Sequence, residues 1–285
     1  MDSDFDKIPE SAYRSGNESE VDVANTIVAF NQAIVEATKD IVCAYKANSA
    51  FYEAYGRQGA TALNRTIAHI LATAPDIPVI LDAKRADIGS TNAGYVEAAF
   101  SYLQADAITV HPYLGAEALQ PFLDREDKGI IVLCRTSNPG AGEFQDLRVG
   151  VSLEIFHDFE VRLGREIPEG DIPFYQFVAR QVATEWNKNS NCALVVGATY
   201  PDELREVRQI VGDMPILIPG VGFQQKDVPL EQQVQEVVSA GKDSRGQGMI
   251  INSSRGIIFA SQGEDFAEAA RRETLKLHNL INRFR

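Results

Sequence analysis

The sequence predicts an α/β protein of alternating parallel strands and helices, the class of the (β/α)8 TIM barrel. Two patterns and the length predict it. Seven short apolar runs of strand length recur along the chain, and each is followed by a segment with apolar residues at helical spacing. At 285 residues the chain has the length such a barrel commonly takes as one domain, so residues 1–285 read as a single unit with an insert at about 138–172.

In order, residues 1–19 are polar, with Pro9 and Ser15-Gly16-Asn17, and read as a loop. Val21, Ala24, Ile27, Val28, Ile34 and Val35 place a helix over residues 20–39. Residues 40–46 read as a strand ending in a lysine. Leu63, Ile67, Ile70 and Leu71 share one face of a helix over 60–74. A strand over 77–83 leads into a helix from about 92 to 103. Strand 107–110, helix 116–123 and strand 129–134 follow. Residues 135–170 contain Asn138-Pro139-Gly140 and read as a loop with room for one strand or short helix. The regular pattern resumes with helix 174–188, strand 192–197, helix 201–211, strand 215–219, helix 230–240, strand 249–252 and a helix from 265. A leading helix normally has a strand in front of it, and seven strands are one short of eight. Either the sheet is open or the first strand is missing from this chain; a barrel lacking it would expose two sheet edges and lose stability or activity.

Composition narrows the function. With 45% hydrophobic and 24% charged residues, the chain can bury a sizeable core. A net charge of -13 argues against nucleic-acid or anionic-membrane partners, which demand basic surface, yet leaves room for a small anionic substrate. Cys43, Cys134 and Cys192 sit far apart in apolar runs and read as buried free thiols. No signal peptide or membrane-length apolar run is legible, which makes the cytoplasm the expected compartment.

The densest chemistry lies in Asp82-Ala83-Lys84-Arg85-Ala86-Asp87-Ile88-Gly89-Ser90-Thr91. In an extended strand i and i+2 share a face, so Asp82 and Lys84 point the same way. Asp87 follows the strand, and two carboxylates thereby flank one ammonium. Two like charges 4 Å apart repel by about 4 kcal/mol at an effective dielectric near 20, and a lysine between them relieves that. An arbitrary Asp-x-Lys-x-x-Asp is more often a surface salt-bridge cluster; the strand-end position favours function here, because barrels build their sites from the loops after their strands. Lys46 ends the preceding strand. Pro219-Gly220-Val221-Gly222 and Ser253-Ser254-Arg255-Gly256 follow the last two strands, where backbone N–H groups and a guanidinium can hold a phosphate. Of the four histidines, only His111 falls at a strand end. No histidine pair has metal-ligand spacing.

Together these residues resemble orotidine 5'-phosphate decarboxylase. Asp82-x-Lys84-x-x-Asp87-Ile88-x-x-Thr91 is similar to that family's signature, and Lys46 in Tyr45-Lys46-Ala47-Asn48-Ser49 to its earlier lysine. Ser137-Asn138-Pro139-Gly140 resembles the pyrimidine loop, Pro219-Gly220-Val221-Gly222-Phe223-Gln224 the phosphate loop, and Ser253-Ser254-Arg255-Gly256-Ile257 the phosphate arginine segment. The motifs run in order from Met1 to about Ala260, and the long insert is similar to the longer bacterial-type (type 2) branch. The resemblance implies conversion of orotidine 5'-phosphate to UMP and CO2 in de novo pyrimidine biosynthesis, without a metal or organic cofactor. Lys84 would protonate C6, Asp82 would lie against the substrate carboxylate, and Lys46 would bind ribose and support the charge network. Asp87 and Thr91 would reach the neighbouring site of an obligate homodimer. Ser137 would bond the base, while Gly222, Gln224 and Arg255 would hold the phosphate.

Phe223, Gln225 and Lys226 depart from the smaller residues expected in the phosphate loop. The family's first strand ends in an apolar-Asp pair; here that pair is Met1-Asp2, which makes Asp2 the ribose-binding carboxylate and leaves the strand before it absent. Two rivals stand beside this reading. A metal-dependent sugar-phosphate decarboxylase of the same superfamily places a carboxylate ligand where this chain has Lys46. The other is a non-catalytic phosphate-binding barrel serving as a dimeric scaffold.

Overall fold

A computed structural model describes residues 1–15, 22–167, 170–222 and 227–285. The chain divides into two compact units, one of Met1–Lys84, Gly94–Thr109 and Ser253–Arg283, the other of Arg85–Ala93, Val110–Asn252 and Phe284–Arg285. Both are built of parallel strands with intervening helices, the repeat of the (β/α) barrel class.

In the first unit, strand β1 (Tyr45–Asn48) pairs in parallel with β2 (Val79–Arg85), with Lys46 opposite Ile80 and Asn48 opposite Asp82. β3 (Ala107–Val110) lies on the other side of β2. Val79, Ile80, Leu81, Ile108 and Val110 are buried, as expected of parallel strands covered on both faces. Helix Val23–Thr38 begins where the Asp22 carboxylate caps the Asn25 N–H at 2.9 Å. It buries Ile27, Phe30 and Ile34 and packs on helix Gly56–Thr73, which buries Leu63, Ile67 and Ile70; Asn31 donates to Thr66 across the pair at 3.1 Å. A Cβ on Gly59 would lie 1.7 Å from the Tyr52 carbonyl oxygen, so only glycine lets that helix close on the short helix Ala50–Glu53. Phe30 stacks on Phe259 and Phe266, which ties in the terminal helix Phe266–Phe284.

The first strand lies later than the apolar run predicts. Residues 40–44 form a turn: the Ile41 N–H bonds back to Thr38 O, and Arg271 clamps the Asp40 carboxylate from the terminal helix. The ladder starts only at Tyr45, whose N–H reaches Pro78 O. Cys43 is consequently exposed rather than buried, whereas Cys134 and Cys192 are buried. Among the described residues no strand precedes β1; the Met1 nitrogen donates to Lys46 O beside it.

In the second unit β4 (Gly129–Arg135) lines up with strands Cys192–Val196, Ile216–Pro219 and Met249–Asn252, all parallel. Helix Pro201–Val211 starts on proline with Asp202 and Glu203 in its first turn and stops at Gly212, whose φ is 60°. Arg208 inside it is buried and donates to the carbonyls of Gly212, Met214, Gly241 and Gly248. The insert is more ordered than a loop. It holds a short helix, Gly142–Gln145, an antiparallel pair of β5 (Arg148–Gly150) with β6 (Asp171–Pro173), and between these strands helix Leu153–Leu163, capped by Ser152 and ended by left-handed Gly164. Strands of three residues are too short to leave a periodic signal.

Candidate active site

β1, β2 and β3 of the first unit bring together four polar side chains, with Asp2 beside them. Asp82 is the centre, with 7% of its surface exposed. Its Oδ2 accepts from Lys46 Nζ at 2.7 Å and its Oδ1 from Lys84 Nζ at 2.6 Å. Thr109 Oγ1, on β3, donates to the same Oδ1 at 2.9 Å. Asp2 lies beyond Lys46, 4.0 Å from its Nζ, and also takes a hydrogen bond from Ser254. The parallel register explains the meeting: Lys46 is the second residue of β1 rather than its last, it lies opposite Ile80, two positions before Asp82 on the neighbouring strand, and Lys84 shares Asp82's face.

The electrostatics follow from the geometry. Burial alone would raise the Asp82 carboxyl, but the Lys46 and Lys84 ammoniums outweigh it and hold the pKa down to about 2. Burial likewise pushes Asp2 up, while the Met1 nitrogen, Lys46 and the Ser254 hydroxyl bring its pKa below the ordinary value. Both carboxylates are therefore ionised at neutral pH. Lys46 is buried, whereas the Lys84 side chain is 48% exposed, so one ammonium braces the network and the other faces outward. Lys84 also has φ of 48°, an uncommon backbone state for a lysine within a strand. The sequence pattern centred Lys84 between two carboxylates; within the first unit the centre is Asp82 between two ammoniums.

Arg255 also belongs to the first unit, exposed at the start of the short helix Arg255–Ile258. The remaining predicted residues belong to the second unit. Asp87 is held by Asn92, whose side chain accepts the Asp87 N–H at 2.9 Å and donates to Asp87 O and Ala118 O, each at 2.6 Å. Thr91 is exposed one residue earlier. Ser137 lies in the turn after β4, against Gly197, where a Cβ would fall 2.6 Å from the Ser137 Cβ. Arg135, fully buried, pins that turn through Asp146 at 2.8 Å and lies 3.8 Å over the Tyr200 ring. Gly222 has φ of 84°, and its N–H donates to Gln233 Oε1 at 3.0 Å. Gln224 lies outside the described residues, as do Phe223, Gln225 and Lys226. His111 donates its backbone N–H to Arg85 O.

Sequence reasoning missed Thr109, Asn92 and Gly197. A glycine directly after a strand was a readable signal for the last. Thr109 and Asn92 carried none, because their partners lie far away along the chain or in an unforeseen turn.

A family model, orotidine 5'-phosphate decarboxylase / HUMPS family, matches residues 21–272. The orotidine 5'-phosphate decarboxylase of Cellvibrio japonicus is 47% identical over 256 residues, 90% of this chain and 84% of that protein. That of Ralstonia pickettii is 43% identical over 285 residues, 100% of this chain and 92% of the relative. Among solved structures, OMP decarboxylase of Leishmania donovani matches with a TM-score of 0.73 at 35% identity, covering 91% of this chain and 89% of that one.

Proposed function

The chain belongs to the orotidine 5'-phosphate decarboxylase / HUMPS family, and from that premise we propose which of its residues carry the reaction. The protein is an orotidine 5'-phosphate decarboxylase, a carboxy-lyase of pyrimidine biosynthesis that yields UMP and CO2. The observation that carries the residue assignment is the half-exposed Lys84 ammonium held on the buried Asp82 carboxylate at 2.6 Å.

The C6–carboxylate bond breaks, CO2 leaves, and the electron pair remains on C6. Lys84 stabilises that developing charge through its fixed ammonium and then gives C6 a proton. Asp82 orients Lys84 and presents negative charge toward the departing carboxylate, while Lys46 balances Asp82 and reaches the ribose with Asp2. Ser137 takes the pyrimidine, and Gly222, Gln224 and Arg255 take the phosphate, as the resemblance assigns them. No metal or organic cofactor enters this reading. An ammonium at Lys46, 2.7 Å from Asp82, repels a divalent cation and weighs against the metal-dependent rival.

We further infer a cytoplasmic homodimer in which Asp87 and Thr91 complete the neighbouring site, and a single domain spanning residues 1–285. Exposed Ile88 (61%), Tyr113 (82%) and Leu114 (45%) in the second unit support a partner surface beside Asp87. Among the described residues no helix is long and apolar enough to cross a membrane.

The test is loss of orotidine 5'-phosphate absorbance, with and without EDTA, for the protein and its Lys84→Ala variant. Turnover indifferent to chelator and lowered by about a hundredfold or more in the variant is expected, the range for losing a positioned acid. A variant that keeps wild-type turnover would overturn the assignment.

A further inference from the structure

Thr109 contributes a buried hydroxyl, with 1% of the residue's surface exposed, and it meets Lys84 and Asp82 at once. Oγ1 accepts the Lys84 backbone N–H at 3.0 Å and donates to Asp82 Oδ1 at 2.9 Å. The direction of these bonds is fixed. A hydroxyl has one proton, an ionised carboxylate can only accept, and the Lys84 N–H can only donate. The chain of bonds therefore runs from Lys84 N–H through the Thr109 hydroxyl to Asp82 Oδ1. That oxygen also receives the Lys84 ammonium at 2.6 Å.

Lys84 is thus held at both ends of one closed ring. Its backbone is bonded directly to Thr109, and its Nζ through the carboxylate that Thr109 orients. The backbone end needs holding, because φ at Lys84 is 48°, a conformation a lysine keeps only when its surroundings impose it. The side-chain end needs it as well. With Lys46 on Oδ2 and Lys84 on Oδ1, the carboxylate is pulled from both sides, and the Thr109 hydroxyl fixes the plane in which it lies.

We propose that Thr109 is a positioning residue for the decarboxylation, setting the placement of the Lys84 ammonium by binding Lys84's backbone and Asp82's Oδ1 with a single hydroxyl. This rests on the reading of Lys84 as the proton donor. Thr109 itself contacts neither phosphate nor base in this role, so its loss affects turnover and not affinity.

The experiment compares Thr109→Val, Thr109→Ser and Thr109→Ala in steady-state turnover of orotidine 5'-phosphate, with UMP binding measured by calorimetry on the same preparations. Valine keeps the β-branched shape and lacks the hydroxyl. The expected result is a fall in kcat of about tenfold to a hundredfold in the valine and alanine variants, the scale at which small misplacements act. KM and the UMP Kd stay within about threefold of wild type, and serine recovers kcat to within about threefold. A merely structural role would move UMP binding together with kcat, and that overturns the proposal. So does a valine variant with wild-type kcat, or a folded serine variant as slow as alanine. If the valine protein does not fold, the serine-to-alanine contrast, one oxygen atom, decides alone. Lys84→Ala in the same assay separates failure of this inference from failure of the reading of Lys84, since the latter shows as undiminished activity in that variant.

Discussion

Asp82 accepts hydrogen bonds from two lysines and a threonine while almost wholly buried, and this makes it one of the residues through which pH acts on the protein. Its carboxyl is lowered from 3.8 to about 2 in the fold. A depressed folded-state pKa means that the ionised form is favoured by folding. The resulting stability is fully present above the unfolded value and disappears as pH falls toward the folded value. A shift of that size corresponds to roughly 2 kcal/mol. Urea unfolding followed from pH 5 down to pH 2.5 is expected to lose stability with a slope that Asp82→Asn partly removes. An identical slope in the variant would show that other carboxylates govern acid unfolding. The same residue explains why Lys84 can be exposed and still be fixed: a mobile surface lysine here ends on a buried anion.

Strand β1 and the insert are where element-level reasoning met competition. Residues 40–46 have the apolar content of a strand, but Asp40 is held by Arg271 across a span of the chain no local pattern can register. That contact keeps the preceding turn out of the ladder and starts the strand at Tyr45. The insert gained its strand pair and helix from the opposite circumstance, as its elements are short and their partners, Arg148 with Asp171 for instance, are distant in sequence. β4 and the turn after it offer a direct test of element placement. Gly197 permits the Ser137 turn to rest against the strand that follows, and an added Cβ would sit 2.6 Å from the Ser137 Cβ. Gly197→Ala is expected to raise KM for orotidine 5'-phosphate by up to about tenfold, the loss of one hydrogen bond to the base, with kcat less affected. Unchanged KM would remove Ser137 from the pyrimidine contacts.

At the scale of the whole molecule, the proposal concerns association and domain number. The exposed Ile88, beside Asp87, is a large apolar side chain with 61% of its surface in solvent. A chain of 31.3 kDa that pairs through this surface runs at about twice that mass in analytical ultracentrifugation. Ile88→Asp is expected to yield monomers, because an unpaired charge in a closed apolar interface is costly. Those monomers are expected to lose nearly all turnover, since in the proposed dimer each site borrows Asp87 and Thr91 from its neighbour. Fully active monomers would sink the shared-site reading. The single-domain reading carries its own expectation in the same samples, one coincident unfolding transition by circular dichroism and by Trp186 fluorescence.

Periodicity and turn chemistry were enough to determine the α/β class and most element positions, with β3 and the helix Pro201–Val211 falling at their predicted bounds. Residue type and spacing were enough to single out Lys46, Asp82 and Lys84, because i and i+2 on a strand and a charged residue in an otherwise apolar strand run are local, regular signals. Tertiary structure alone decided that Asp82, rather than Lys84, is the centre of the cluster. It alone brought in Thr109, which lies 27 residues from Asp82 along the chain. The physical reason is the same in both cases: hydrogen bonds between neighbouring strands depend on register, and register is set by packing across the sheet, where no repeat along the sequence records it.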